Sequence, residues 1–144
     1  MLFGNDRSQL RSFYIEVWRK FNAGQDMEPL EQVVLQVIQQ HPEYHALLAD
    51  PDLALERDYL PEAGETNPFL HMGMHIAIHE QLASQRPPGI GDIYRQLCRR
   101  YGDAHEAEHR MMECLAEMIW ESQRNQINPD ESIYLQKLAR LART

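Results

Sequence analysis

Cysteine is nearly absent: Cys98 and Cys114 are the only two in 144 residues, and neither belongs to a Cys-x-x-Cys pair. No disulfide framework can be built from them. Long apolar runs are missing too, so no segment reaches the roughly 18 residues that a membrane-spanning helix needs. Alternation of β-branched residues is lacking, which argues against strands. No internal repeat and no low-complexity segment occurs. Positive charge is scarce, with 14 Lys and Arg against 22 Asp and Glu and a formal net charge of −8. Such a chain repels nucleic acid and anionic membrane surfaces. The short basic stretch Lys137, Arg140 and Arg143 is too small to reverse that. The opening MLFGNDRSQLRSFY is charged early and has no apolar signal stretch, so a reducing, bacterial-type cytoplasm is the expected location. A small-molecule substrate of unknown kind and a homo-oligomer both stay open.

What remains is ordinary globular material. An apolar fraction of 43% and a charged fraction of 25% fit one domain over residues 1–144 with a real core. The expected fold is an all-α, single-domain bundle of about five to six helices, from hydrophobic spacing and punctuation. The first runs from about Asp6 to Phe21, with Leu10, Phe13, Tyr14, Val17, Trp18 and Phe21 as its stripe. The second starts near Glu28-Pro29 and breaks at His41, because Pro42 disfavours helical geometry there. A further turn or two ends at Asp50-Pro51, and residues 51–66 read as a long, partly irregular connection. The third is sharply marked, with Asn67 as N-cap and Pro68 in the first position, and it stops before Pro87-Pro88-Gly89. A short fourth helix ends at Gly102, a fifth runs from Asp103 to about Asn125, and a sixth follows Pro129-Asp130. Trp18 and Trp120 are expected in the core.

Every histidine has another four residues away: His41/His45, His71/His75/His79 and His105/His109. On a helix that spacing puts two rings on adjacent turns, able to grip one ion from one side. With His75 at zero and 100° per residue, His71 falls at about −40° and His79 at about +40°, opposite Glu80, Gln81 and Ser84. No Asp, Glu, Lys or Arg occurs from Pro68 to Ile78, so this helix reads as buried. Burying three imidazoles is costly unless each finds a partner, and a metal ion with carboxylates behind it supplies one. On the fifth helix, with Met112 at zero, His105, Glu108 and His109 fall at about +20°, −40° and +60°, while Glu106 falls near 120°. His105, Glu108 and His109 are therefore the expected inward triad. The two helices match in register whether antiparallel or parallel, and His75 meets His109 either way. His41 and His45 carry less weight, since Pro42 disrupts their helical spacing.

The expected ligands are His71, His75, His79, His105 and His109, with Glu108 as ligand or base. One ion would use part of this set and a pair of ions more of it. Imidazole with carboxylate suits Zn, Fe, Mn or Ni. His105-Glu106-Ala107-Glu108-His109 also reads as the H-E-x-x-H of zincin peptidases, with Glu106 as base, and as the inverted H-x-x-E-H, with Glu108 as base. Glu106-x-x-His109 further matches the Glu-x-x-His of di-metal bundles. Against these, Asp103 and Glu106 are spaced as a capping box. A zincin-type hydrolase is thus the first alternative, and a metal-free helical interaction module the second.

The segments NPFLHMGMHIAIHEQ and DAHEAEHRMMECLAEMIWESQR resemble those of a small bacterial family known only as a domain of unknown function. That resemblance implies a bacterial, cytosolic setting and no particular activity. A looser similarity is to hemerythrin-like and DinB-like metal bundles, which also set histidines on facing helices.

Overall fold

The computed structural model describes residues 7–59 and 67–143. Asp6, where the first helix was expected to begin, and residues 60–66 of the connection lie outside them. The protein is all-α. Among the described residues there are eight α-helices and one 3₁₀ turn: α1 (Arg7–Asn22), α2 (Pro29–Gln39), the turn Pro42–Tyr44, α3 (His45–Leu48), α4 (Pro51–Glu56), α5 (Pro68–Ser84), α6 (Ile90–Tyr101), α7 (Ala104–Asn125) and α8 (Glu131–Arg143). None is long and apolar enough to cross a membrane. The chain forms two compact units, Met1–Gly73 and Met74–Thr144.

The expected five to six helices are too few because two short ones, α3 and α4, lie where the sequence marks only a further turn or two and a partly irregular connection. Pro51 opens a helix rather than ending one. Asp50 accepts the Leu53 N–H at 3.3 Å and Pro51 takes the first position. This is the same pairing of cap and proline that marks α5, where Asn67 Oδ1 accepts Phe69 N–H at 2.9 Å and Leu70 N–H at 3.3 Å. The break at His41 is as expected: its φ of −127° and ψ of 69° leave the helical region ahead of Pro42.

In the first unit, α1 packs on α2 and α4, around Tyr14, Val17, Val34, Val37 and Ile38. Its least expected core member is Arg11, which is buried. The guanidinium donates to the carbonyls of Ala54 (2.9 Å) and Arg57 (2.7 Å) at the end of α4. It also lies 4.8 Å from the centre of the Phe69 ring. Arg11 thereby terminates α4, whose last carbonyls would otherwise lack partners. Lys20 Nζ and the Glu28 N–H both donate to Glu31, at 2.9 Å each, and fix the start of α2 against α1.

In the second unit, α6, α7 and α8 pack on one another. Ile78, Ile90, Leu97, Met111, Leu115 and Leu138 are buried at the centre. Tyr134 of α8 donates to Gln81 Oε1 at 2.8 Å, so Gln81, expected on the polar face of α5, is partly inside. Two further expectations are corrected. Leu70 is 65% exposed, so α5 is not covered all round despite its lack of charge. Trp120 is 57% exposed, with the Arg124 guanidinium 5.1 Å from its ring. It falls about 80° from Met112, on the flank of α7 rather than its inner face.

Arg11→Leu keeps bulk but leaves the Ala54 and Arg57 carbonyls without their donor, and it should cost about 2–3 kcal/mol in urea denaturation. Leu97→Ala, opening a cavity in the second unit, should cost about 2–5 kcal/mol in the same assay.

Candidate metal centre

The corner between α6 and α7 sets the site. Gly102 takes a left-handed φ of 69° and closes α6 through its N–H to the Cys98 carbonyl. Asp103 follows at once as the N-cap of α7, accepting the His105 N–H at 3.2 Å. His105 therefore stands in the first turn of α7 and His109 in the next, rings 4.2 Å apart at 78°. Both are half-buried.

His75 of α5 comes up to this pair. It is fully buried, with ring centres 5.4 Å from His105 and 4.9 Å from His109. One donor atom from each of the three rings lies within 4.8 Å of the others, a cluster positioned to coordinate a divalent metal ion. Tetrahedral nitrogens about 2.1 Å from one ion stand about 3.4 Å apart. Small side-chain rotations would close that difference. The fit is chemical as well: imidazole donors suit first-row divalent ions.

Glu108 stands beside them. Its Oε1 accepts from His75 Nδ1 at 2.7 Å and from His79 Nε2 at 3.0 Å. Burial pushes the Glu108 carboxyl up, but the hydrogen bonds from His75 and then His79 outweigh it and hold the group at about 2. His79, 23% exposed at the side chain, is shifted above the ordinary imidazole value, chiefly by its hydrogen bond to Glu108. Tyr94 of α6 was not among the expected residues. Burial pushes its hydroxyl up to about 12, a hydrogen bond with Cys98 adds to this, and the charge of Glu108 contributes. Nothing in the spacing of α6 marks it.

The remaining candidates are placed as follows. The structure sets Glu106 on the half-exposed flank, accepting from Arg110 Nε at 3.0 Å. Asp103 caps α7 as expected, but Glu106 turns to Arg110 rather than back to complete a capping box. His71, one turn ahead of His75, is in the first unit. There its ring lies 4.9 Å from that of His41 and 6.5 Å from that of Tyr44. His41 is buried and gives its Nδ1–H to the Val37 carbonyl at 2.9 Å. His45 holds the Ile38 carbonyl at 2.8 Å and packs on Trp18. These two rings anchor the chain at the proline break, a role the helical spacing did not foretell.

The Glu108–His79 pair has a calculable pH window. A carboxyl held below its ordinary value stabilises the fold above about 4.5 and loses that contribution as pH falls toward 2. An imidazole held above 6.5 stabilises it below that value and loses the contribution as pH rises through its folded value. In metal-free protein, a double-mutant cycle on Glu108→Gln and His79→Gln should therefore give its largest coupling between about pH 4.5 and 6.5. It should shrink on either side.

No curated protein and no solved structure matches the chain, so the looser similarity to hemerythrin-like and DinB-like bundles gains no support from either comparison. One family model does match, over residues 6–140. With all but the two ends covered, the chain belongs to the family described as a domain of unknown function, DUF1841.

Proposed function

We propose that the protein is a metal-binding protein whose centre holds a divalent ion through His75, His105 and His109. The observation that carries this reading is the convergence of three imidazole donor atoms within 4.8 Å, one of them on a fully buried ring. Glu108 engages ring N–H groups of His75 and His79, which leaves imidazole nitrogen as the main donor type. That favours zinc, iron or nickel over manganese, which prefers carboxylate oxygen. When bound, the ion supplies Lewis acidity. The residues around it bring burial, an orienting carboxylate, and a half-exposed imidazole at His79 that opens toward solvent. Hydrolysis of the zincin type is disfavoured, because the Glu106 carboxylate, which would have to act as base, is 43% exposed and paired with Arg110.

Untagged full-length protein should carry or take up a stoichiometric divalent ion by elemental analysis and titration. At a hundredfold excess over the dissociation constant the ion should stabilise the fold by about 2.7 kcal/mol. His75→Ala, His105→Ala and His109→Ala should each weaken binding by more than about 100-fold, since losing a ligand costs more than losing the group that orients it. His41→Ala and His71→Ala, measured beside them, test what the imidazoles of the first unit add. Protein that neither carries nor takes up metal would instead be a helical interaction module.

A further inference from the structure

Glu108 reaches two histidines through one oxygen. Oε1 stands 2.7 Å from Nδ1 of His75 and 3.0 Å from Nε2 of His79. An ionised carboxylate only accepts, so both nitrogens carry protons. The two rings thus meet Glu108 with different atoms. His75 presents Nδ1–H, and a neutral ring protonated there has its lone pair at Nε2. This ring is the fully buried one, packed against His105 and His109. His79 presents Nε2–H instead and keeps part of its ring in solvent.

We propose that Glu108 is a positioning residue for the metal centre: it holds His75 in the Nδ1–H form, so that Nε2 is the atom delivered to the ion, and it is not itself a ligand. This rests on the metal-binding reading above. As a ligand through Oε1, Glu108 would have to release two imidazole donors, one of them on a ring without solvent access. A buried donor left without an acceptor is strongly unfavourable. As an orienting group it keeps both. A carboxylate or carbonyl behind a metal-bound imidazole fixes ring and tautomer in this way. The second donor, His79, gives Glu108 another reason to stay ionised at a buried position and keeps Oε1 from turning toward the cluster.

Two measurements on the full chain test this. The first uses metal-free protein: long-range ¹H–¹⁵N correlation spectra should give His75 a protonated Nδ1 and a bare Nε2. A wild-type His75 protonated at Nε2 overturns the inference whatever the protein does with metal. The second uses Co²⁺ as a visible probe. Glu108→Gln should weaken Co²⁺ binding by about 10–100-fold while the absorption bands at saturation keep their positions. Unchanged affinity makes Glu108 merely structural. Bands that move on substitution make it a ligand. Either result overturns the proposal. Should Glu108→Gln fail to fold, Glu108→Asp, one methylene shorter, should weaken binding in the same direction with the same bands. Wild-type protein that takes up no Co²⁺ ends the metal-centre reading, and the tautomer measurement then still decides whether Glu108 sets His75.

Discussion

Inside the second unit, one carboxylate oxygen receives the N–H groups of two imidazoles. A buried carboxylate is costly unless it is paired and hydrogen-bonded. Glu108, only 6% exposed, is tolerable on α7 because His75 and His79 both turn toward it. They can do so because they are four residues apart and lie one above the other on α5. The contact therefore fixes the rotation of α5 about its own axis. With α5 turned this way, His75 faces the first two turns of α7, where His105 and His109 wait.

The position of the site on α7 follows from how that helix divides its surface. Its buried residues, Ala107, Glu108, Met111, Met112 and Leu115, centre about 70° to one side of Met112, the side away from Trp120, and this face is turned toward α6 and α8. His105 and His109 lie about 90° and 130° round from the centre of that face, so both are half-buried, while Glu108, about 30° from it, is inside. The arrangement serves both needs. The apolar core keeps α7 rigid, and the marginal imidazoles remain reachable by an ion from outside. Further round the helix the surface is given to charge, with Glu117 and Glu121 at 2.7 and 3.6 Å from Lys137 of α8.

Much of this was legible because helices repeat. The step of four that stacks His71, His75 and His79 is visible in the letters, and simple rotation ranked Glu108 inside and Glu106 outside. Caps were legible where a polar residue preceded proline, as at Asn67-Pro68. The same pair at Asp50-Pro51 reads as a stop in the sequence, since a proline viewed from the preceding helix looks like an end. Other features depend on what packs alongside, and no single helix carries that information. The direction of two facing helices, the exposure of Leu70 and Trp120, and the presence of Tyr94 near Glu108 are of this kind. So is the division of labour among imidazole nitrogens, which is set by the partner of each ring rather than by its place in the chain.

The stretch HEAEH illustrates the limit of motif reading. It satisfies three published patterns because histidine and glutamate at short helical spacings satisfy many. The structure separates its two glutamates by face. Glu106 and Arg110 are four apart, as His105 and His109 are, yet they form an ion pair on the flank, the usual fate of such spacing on an exposed surface. Glu108, two residues on from Glu106, is turned inward and meets imidazole instead. Spacing makes a pair of side chains available to each other, and the face on which they sit decides whether the pair is surface electrostatics or the wall of a site. A pattern match on a helix therefore gains chemical meaning only once its phase relative to the core is known.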